Sequence, residues 1–305
     1  MMAEYFSYRL CGVAANEYTN ASTTSLLNAE ERTWDNGLLD RLGYPGEIFS
    51  QPVMPPYPLG SFTDEVKKEV GYTAEVVLCP THDTAAAVAA CPLDEGTMYI
   101  SSGTWSLAGI ETDKPTINEQ SAKHNWTNEG GIDGKYRFLK NIMGLWLMQN
   151  VRIEDGNRHN HTELAKLAAK STFDGTFDVN DPVFTAPENM TAEIKKKLGE
   201  DDLSIGDLAR SVYRSLALSY AKTAGSVQEL TGKKIERILI VGGGSANEFL
   251  NEQTALACSV PVITGLTEGT AVGNIISQYM QDSGSTLAQA REIIKNSFDF
   301  KEIEL

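Results

Sequence analysis

The chain has 305 residues, of which 41% are hydrophobic and 22% are charged, and its formal net charge is −15. This length allows about two domains with a sizeable core. The acidic balance disfavours a nucleic-acid partner, and no apolar run is long enough for a membrane helix. The first six residues lack the basic start and apolar core of a signal peptide, so we expect a cytoplasmic, globular protein.

The cysteine pattern indicates neither a zinc site nor a redox centre. None of the four cysteines has Cys-x-x-Cys spacing, so free thiols in a reducing compartment are expected. They are Cys11, Cys79, Cys91 and Cys258. The sequence therefore assigns no metal-ligating residues.

The first part of the chain predicts few regular elements. A helical patch runs from Trp34 to Leu42 and ends at Gly43. The segment 45–61 contains five prolines, which disfavour helix interiors and central strands, and we interpret it as a connector.

Strands and helices then alternate. Glu75 to Cys79 predicts a short strand, Thr84 to Ala90 a tightly packed helix, and Thr97 to Ile110 a hairpin. The apolar run 139–149 is interpreted as a helix. Ser204 with Asp207 forms a plausible capping box for a long helix that ends near Gly232.

The last third of the chain repeats a strand, a turn and a helix. The branched run 235–241 ends in three glycines and precedes a helix-like segment, 247–257. A second strand follows at 261–264, with a helix through 276–280. This order of elements predicts an α/β fold.

A carboxylate lies at the predicted start of the Ala-rich helix, in Pro80-Thr-His-Asp-Thr84. Asp83 could be a helix N-cap, or it could be a base that accepts a hydroxyl proton during phosphoryl transfer. His82 and Thr84 flank this carboxylate, and Thr84 could itself cap the helix. The residues alone leave these alternatives open.

Two small-residue turns suggest a phosphate or nucleotide site. In Ser101-Ser-Gly-Thr104, Gly103 frees the backbone and Thr104 offers an N–H and a hydroxyl, although an ordinary turn explains the pattern equally well. Gly242-Gly-Gly-Ser-Ala-Asn247 lacks the third glycine expected of a dinucleotide fingerprint, so a dehydrogenase is the weaker alternative. No P-loop motif occurs.

Four ordered motifs resemble the FGGY family of carbohydrate kinases. They are the Thr-His-Asp-Thr and Ser-Ser-Gly-Thr-Trp-Ser motifs, Lys140-Asn-Ile-Met-Gly-Leu-Trp146, and the triple glycine followed by Asn247. The resemblance implies an actin-like (ribonuclease H-like) fold that uses ATP and Mg²⁺. It also implies phosphorylation of the 1-hydroxyl of a ketose, with L-rhamnulose the expected sugar and L-fuculose the nearest alternative.

The resemblance also implies residue roles. Asp83 would be the general base, and His82, Thr84 and Asn141 would contact the sugar. Thr104, Gln149 and Gly243 would contact ATP. Periodicity alone favours the plainer interpretation of Asn141 and Gln149 as incidental amides on a core helix, within about 80° of each other.

The resemblance is to the later part of such a kinase. We expect residues 1–65 to be a remnant of the N-terminal FGGY domain with the proline-rich connector, and residues 66–305 to be the C-terminal domain. No counterpart of the family's N-terminal Asp-x-Gly phosphate loop is found. The remaining alternatives are a non-catalytic nucleotide-binding fragment, self-association, or complementation by a separate chain that carries the missing region.

Overall fold

The computed structural model describes residues 1–304. Its helices and strands are numbered here in chain order. The helices are α1 Met2–Cys11, α2 Tyr18–Ala21, α3 Asn36–Leu42, α4 Asp64–Val70, α5 Asp83–Ala89, α6 Glu119–Lys123, α7 Trp146–Glu154, α8 His161–Lys170, α9 Met190–Leu198, α10 Ile205–Thr231, α11 Glu248–Cys258, α12 Gly269–Ser283 and α13 Leu287–Ser297. The strands are β1 Asn16–Glu17, β2 Leu27–Asn28, β3 Thr33–Trp34, β4 Pro52–Val53, β5 Tyr57–Ser61, β6 Glu75–Leu78, β7 Thr97–Ser102, β8 Trp105–Thr112, β9 Thr127–Gly130, β10 Tyr136–Met143, β11 Arg237–Val241, β12 Val262–Leu266 and β13 Lys301–Ile303.

The chain divides into two compact units. Unit 1 contains Met1–Pro92, Glu111–Phe138 and Gly269–Ser297, and unit 2 contains Leu93–Ile110, Leu139–Glu268 and Phe298–Leu305. No helix among residues 1–304 is both long enough and apolar enough to cross a membrane.

Unit 1 is organised around the small-residue helix α5. All its residues from Thr84 to Ala89 are buried. α12 packs against α5 so closely that a Cβ placed on Gly273 would lie 1.7 Å from the carbonyl oxygen of Ala86. The alanines of α5 permit this approach because they carry no larger side chain. The N-terminus of α5, which carries Asp83, is thereby fixed to α12.

The N-terminal part of unit 1 contains short elements. β1 pairs with β4 in parallel, and β5 pairs with β6 in antiparallel orientation. Two prolines of the predicted connector, Pro52 and Pro58, therefore lie in strands. Each of these sheets has only two strands, so every strand has a free edge where a proline can be tolerated. The interpretation of 45–61 as a connector thus missed two strands.

Unit 2 contains a mixed sheet in the order β13-β12-β11-β7-β8-β10, in which β8 and β10 continue along the chain into unit 1. β7 is parallel to β11, β11 is parallel to β12, and β7 and β8 form the predicted hairpin. The central strands are fully buried at Met98–Ile100 and Ile238–Val241. Their branched and aromatic side chains explain the strand preference and form the core of the unit.

The long helix α10 has the predicted capping box. Ser204 Oγ accepts from the N–H of Asp207, while the Asp207 carboxylate accepts from the N–H of Ser204. Gly232, with φ of 71°, ends the helix in the left-handed conformation that favours glycine. The predicted bounds of this helix are confirmed.

The helix predicted over 139–149 is wrong in its first half. β10 continues to Met143, and α7 begins only at Trp146. Gly144 lies between them, where a Cβ would be 2.6 Å from the carbonyl carbon of Trp105. Asn141 is consequently on a strand and Gln149 on a helix. The two side chains therefore do not share one helix, and the predicted angle of about 80° between them is wrong.

Candidate active site

Asp83 is the first residue of α5 and its side chain is 78% exposed. Its Oδ1 accepts from the N–H of Thr84 at 2.6 Å and lies 3.3 Å from the Thr84 hydroxyl. Its carbonyl oxygen accepts from the hydroxyl of Thr270, at the start of α12. Both helices therefore orient an accessible carboxylate, which can accept a proton from a bound hydroxyl group.

His82 and Thr84 flank this carboxylate, as the motif predicts. His82 Nε2 lies 3.7 Å from Asp83 Oδ1, and the His82 side chain is 23% exposed. Thr84 is buried, and its hydroxyl is directed to Asp83. The geometry therefore makes His82 available to a ligand and gives Thr84 a part in orienting Asp83.

Glu17 supports the segment that carries these residues, although no motif in the sequence indicated such a role. Its buried carboxylate accepts hydrogen bonds from the N–H and hydroxyl of Thr19 and from the N–H and hydroxyl of Thr81. It also accepts from the N–H of Asn20 and caps α2. Burial raises the pKa of Glu17, while the donors from Thr19 and Thr81 oppose that rise. One carboxylate thus connects α2 with the residues just before Asp83.

Two further charged residues adjoin His82, and both come from the hairpin formed by β9 and the start of β10. Arg137 Nη2 lies 3.0 Å from His82 Nδ1 and 3.0 Å from Glu129 Oε2. Both charged side chains are buried. A signal existed in the sequence, because an arginine inside the apolar run Tyr136-Arg-Phe-Leu139 needs a polar partner if the run is buried.

In unit 2 the two predicted small-residue turns lie side by side. β7 and β11 are parallel and in register from Arg237 opposite Thr97 to Val241 opposite Ser101, so their carboxyl ends meet at the same edge. A Cβ on Gly242 would lie 2.8 Å from the carbonyl oxygen of Ser102, and one on Gly244 would lie 2.0 Å from its hydroxyl. These glycines are required because the turn packs directly on the end of β7.

Gly243 differs from its two glycine neighbours. It is exposed, and a Cβ placed there would meet no atom within 4 Å. Thr104, in the bend between β7 and β8, is also exposed. The edge of the sheet therefore has open space beside the Thr104 hydroxyl and the turns that follow β7 and β11. This arrangement suits a phosphate-bearing ligand such as ATP.

Gln149 is attached to the same edge through α7. The N–H groups of Leu145 and Trp146 donate to the carbonyl oxygens of Gly103 and Thr104, at 3.0 Å each. The N–H of Gln149 then donates to Leu145, in the first turn of α7. Asn141 is exposed on β10, and no hydrogen bond joins it to the other predicted site residues within residues 1–304.

Both halves of the chain match models of one kinase family. Residues 1–90 match the N-terminal domain of the FGGY family of carbohydrate kinases, and residues 98–281 match its C-terminal domain. The chain belongs to the FGGY family of carbohydrate kinases. The family expected from the four motifs is thereby confirmed.

Its curated relatives include several rhamnulokinases. The chain is 40% identical to the rhamnulokinase of Halalkalibacterium halodurans, covering 99% of this chain and 66% of that protein. It is 41% identical to the rhamnulokinase of Oceanobacillus iheyensis, covering 98% of this chain and 65% of that protein. The chain therefore spans slightly less than two thirds of the length of these relatives.

Solved structures agree on the fold. A ligand-bound xylulose kinase from Lactobacillus acidophilus superposes with a TM-score of 0.78 at 17% identity, covering 99% of this chain and 62% of that one. A glycerol kinase from Plasmodium falciparum, solved with ADP, superposes with a TM-score of 0.75 at 13% identity, covering 96% and 60%. These similarities confirm the α/β, actin-like fold of the family.

Proposed function

We propose that the protein is an ATP-dependent sugar kinase of the rhamnulokinase type, which phosphorylates the 1-hydroxyl of L-rhamnulose in L-rhamnose catabolism. The observation that carries this proposal is the exposed Asp83 carboxylate, fixed at the start of α5 and flanked by His82. Its support is the identity of about 40% to rhamnulokinases over nearly the whole chain. Such a reaction requires MgATP, which is available in the cytoplasm, so we place the protein there.

The proposed chemistry gives each predicted site residue a role. His82, Asp83, Thr84 and Asn141 bind and orient the sugar. As the oxygen of the 1-hydroxyl forms a bond to the γ-phosphorus and ADP leaves, Asp83 accepts the proton of that hydroxyl. In unit 2, Thr104, Gln149 and Gly243 hold the nucleotide. The division of the chain at residue 65 into an N-terminal remnant and a C-terminal domain stays a prediction.

Mg²⁺ is proposed to accompany ATP. Among residues 1–304 no group of three or more His, Cys, Asp or Glu side chains could hold a metal ion. This fits an ion that is bound chiefly by phosphate oxygens and water, as Mg²⁺ is at many nucleotide sites. When bound, it would neutralise charge on the phosphates. The residues of this chain bind the nucleotide, orient the sugar and accept the proton.

The test is ADP release by the purified chain with MgATP and L-rhamnulose. Asp83→Asn should lower sugar-dependent turnover by about 100-fold or more, because the amide cannot accept the proton. Asp64→Asn is the matched control, since Asp64 is also the exposed first residue of a helix, α4. This control should leave turnover unchanged.

Other outcomes separate the alternatives. Faster turnover with L-fuculose than with L-rhamnulose would contradict the proposed substrate while retaining the kinase. ATP binding by folded protein without sugar-dependent ADP release would contradict catalysis by this chain and favour a nucleotide-binding fragment. Activity that appears only when the remaining part of a rhamnulokinase is added as a separate chain would favour complementation.

A further inference from the structure

The His82 side chain is held between the Asp83 carboxylate and a buried pair of charges. On one side its Nε2 lies 3.7 Å from Asp83 Oδ1. On the other side its Nδ1 lies 3.0 Å from Arg137 Nη2 and 3.6 Å from Glu129 Oε2. The two ring nitrogens therefore face different environments, and the position of the imidazole proton decides what His82 can do.

The contact with Arg137 decides that position. A guanidinium group only donates hydrogen bonds, so a ring nitrogen that pairs with it must be an acceptor. Nδ1 is then unprotonated, and the single proton of the neutral imidazole is on Nε2. The carboxylate of Glu129 would favour the opposite tautomer, with the proton on Nδ1, but its oxygen is farther from the ring.

Arg137 cannot easily turn away from His82. Its side chain is fully buried, and its Nε donates to the carbonyl oxygen of Gly130 at 2.9 Å. Its contact with Glu129 is an ion pair without hydrogen-bond geometry, so the Nη2 proton remains available to His82. Its Nη1 is buried and makes no hydrogen bond to the residues that the structure describes. The guanidinium is thus fixed by the hairpin and aimed at the imidazole.

Burial and the charge of Arg137 together favour the neutral form of His82. Burial, then the positive charge of Arg137, lower the pKa of His82, while Glu129 and Asp83 act in the opposite direction. A neutral ring with one proton is the state that can accept from Arg137 and donate through Nε2 at the same time.

We propose that Arg137 is a positioning residue that holds His82 as a neutral hydrogen-bond donor, with its proton on Nε2 next to Asp83. The role in catalysis rests on the proposed function. In that reaction, Asp83 accepts a hydrogen bond from the hydroxyl that is phosphorylated, and His82 donates a hydrogen bond to the oxygen on the neighbouring carbon. The pair would select substrates with oxygens on adjacent carbons, and His82 would not compete with Asp83 for the hydroxyl proton.

The direct test is nitrogen NMR of histidine side chains in the ¹⁵N-labelled full chain, without substrate and at neutral pH. Protonated and unprotonated ring nitrogens differ strongly in chemical shift, so the spectrum reports the tautomer. The chain has only four histidines, and His82→Gln identifies the signals of His82 by their loss. We expect His82 to be protonated on Nε2 alone. A proton on Nδ1 would overturn the proposal.

Two substitutions then test Arg137 as the cause. Arg137→Met leaves Nδ1 beside the Glu129 carboxylate, so the proton should move to Nδ1 or the ring should become doubly protonated. Arg137→Lys retains a group that only donates and should preserve the Nε2 tautomer. A folded Arg137→Met protein with an unchanged His82 spectrum would overturn the assigned cause.

Controls keep the test decisive. Folding of each variant is checked by circular dichroism. If Arg137→Met does not fold, the test relies on the NMR spectra of the wild type and of Arg137→Lys. Loss of the Nε2 tautomer in a folded Arg137→Lys protein would contradict the proposal. Glu129→Gln retains Arg137 and should leave the tautomer unchanged. Because no turnover is measured, failure of the proposed kinase activity leaves these results interpretable.

Discussion

At the residue scale, the glycines of the turn at residues 242–244 illustrate two different reasons for having no side chain. Gly244 lies against Ser102, where a Cβ would be 2.0 Å from the hydroxyl oxygen, whereas Gly243 has open space around the same position. The first glycine is therefore required by packing within the protein. The second has no such requirement, so a role for it must come from a ligand.

This difference yields a prediction about Gly243→Ala. The unfolding free energy should change by no more than about 0.5 kcal/mol, because the new methyl group meets no atom of the protein. The affinity for ATP should fall by about tenfold, since a methyl group that occupies ligand space costs on the order of 1–3 kcal/mol. The measurements are urea unfolding and calorimetric titration with MgATP.

Gly244→Ala is the matched comparison and should lower stability by about 1–3 kcal/mol through its contact with Ser102. Unchanged ATP affinity in Gly243→Ala would remove Gly243 from the proposed nucleotide site. The difference in unfolding free energy between Gly243→Ala and Gly244→Ala would then still be explained by packing within the protein.

At the element scale, the catalytic candidate is positioned by helices rather than by its own loop. Asp83 begins α5, α12 contacts α5 at Gly273, and Glu17 connects α2 to the segment before α5. Each of these contacts joins parts of the chain that are far apart in sequence. The position of the carboxylate therefore depends on packing between elements.

We predict that Gly273→Ala will disrupt this packing. The added methyl group would lie 1.7 Å from a backbone oxygen of α5, so the two helices must separate. The unfolding free energy should fall by about 3 kcal/mol or more, at the upper end of the range for overpacking. The measurement is the urea unfolding curve of the full chain.

The control is Gly225→Ala, inside α10, where a Cβ would meet nothing within 4 Å. It should stabilise the protein by up to about 1 kcal/mol, because alanine favours a helix more than glycine does. Equal effects of the two substitutions would contradict the close packing of α5 and α12.

At the scale of the whole molecule, the pH dependence of stability should report the histidines that are neutral in the folded state. The pKa of His82 is lowered by burial and by Arg137, and the pKa of His161 is lowered by burial and by Arg152. The unfolded chain therefore binds protons at these positions more readily than the folded chain does. The contribution of these two histidines to the unfolding free energy is fully present above the pKa of about 6.5 of the unfolded chain, and it is lost as the pH falls below that value.

The prediction is a decrease in unfolding free energy as the pH is lowered through 6.5, with a slope of at most about 1.4 kcal/mol per pH unit for each histidine. His82→Gln should reduce this slope. Urea unfolding between neutral and mildly acidic pH measures it. The pKa of buried Glu17 is raised, so its contribution to the unfolding free energy decreases as the pH rises from 4.5. This contribution is the same in wild type and His82→Gln, so it cancels when the two slopes are compared.

A slope that is identical in wild type and His82→Gln would contradict a lowered pKa for His82. The corresponding substitution His161→Gln shows how much of the slope comes from unit 2. His161 is suitable for this purpose because it begins α8, outside the proposed site.

The amino-acid sequence by itself determined the family, the α/β class and most of the elements. Capping residues, branched strands and terminal glycines act over a few positions, so the bounds of α3, α10 and the β7–β8 hairpin could be predicted locally. The motif order likewise indicated Asp83 as the base and Gly243 as a nucleotide contact, and both roles stay proposals.

Only the tertiary structure decided what surrounds these residues. Asn141 was predicted on a helix because its local pattern is apolar, but pairing within the sheet makes that segment a strand. Arg137 reaches His82 across 55 positions of the chain, and Glu17 reaches Thr81 across 64. Such contacts depend on how distant segments are brought together, and no short-range pattern in a single sequence specifies them.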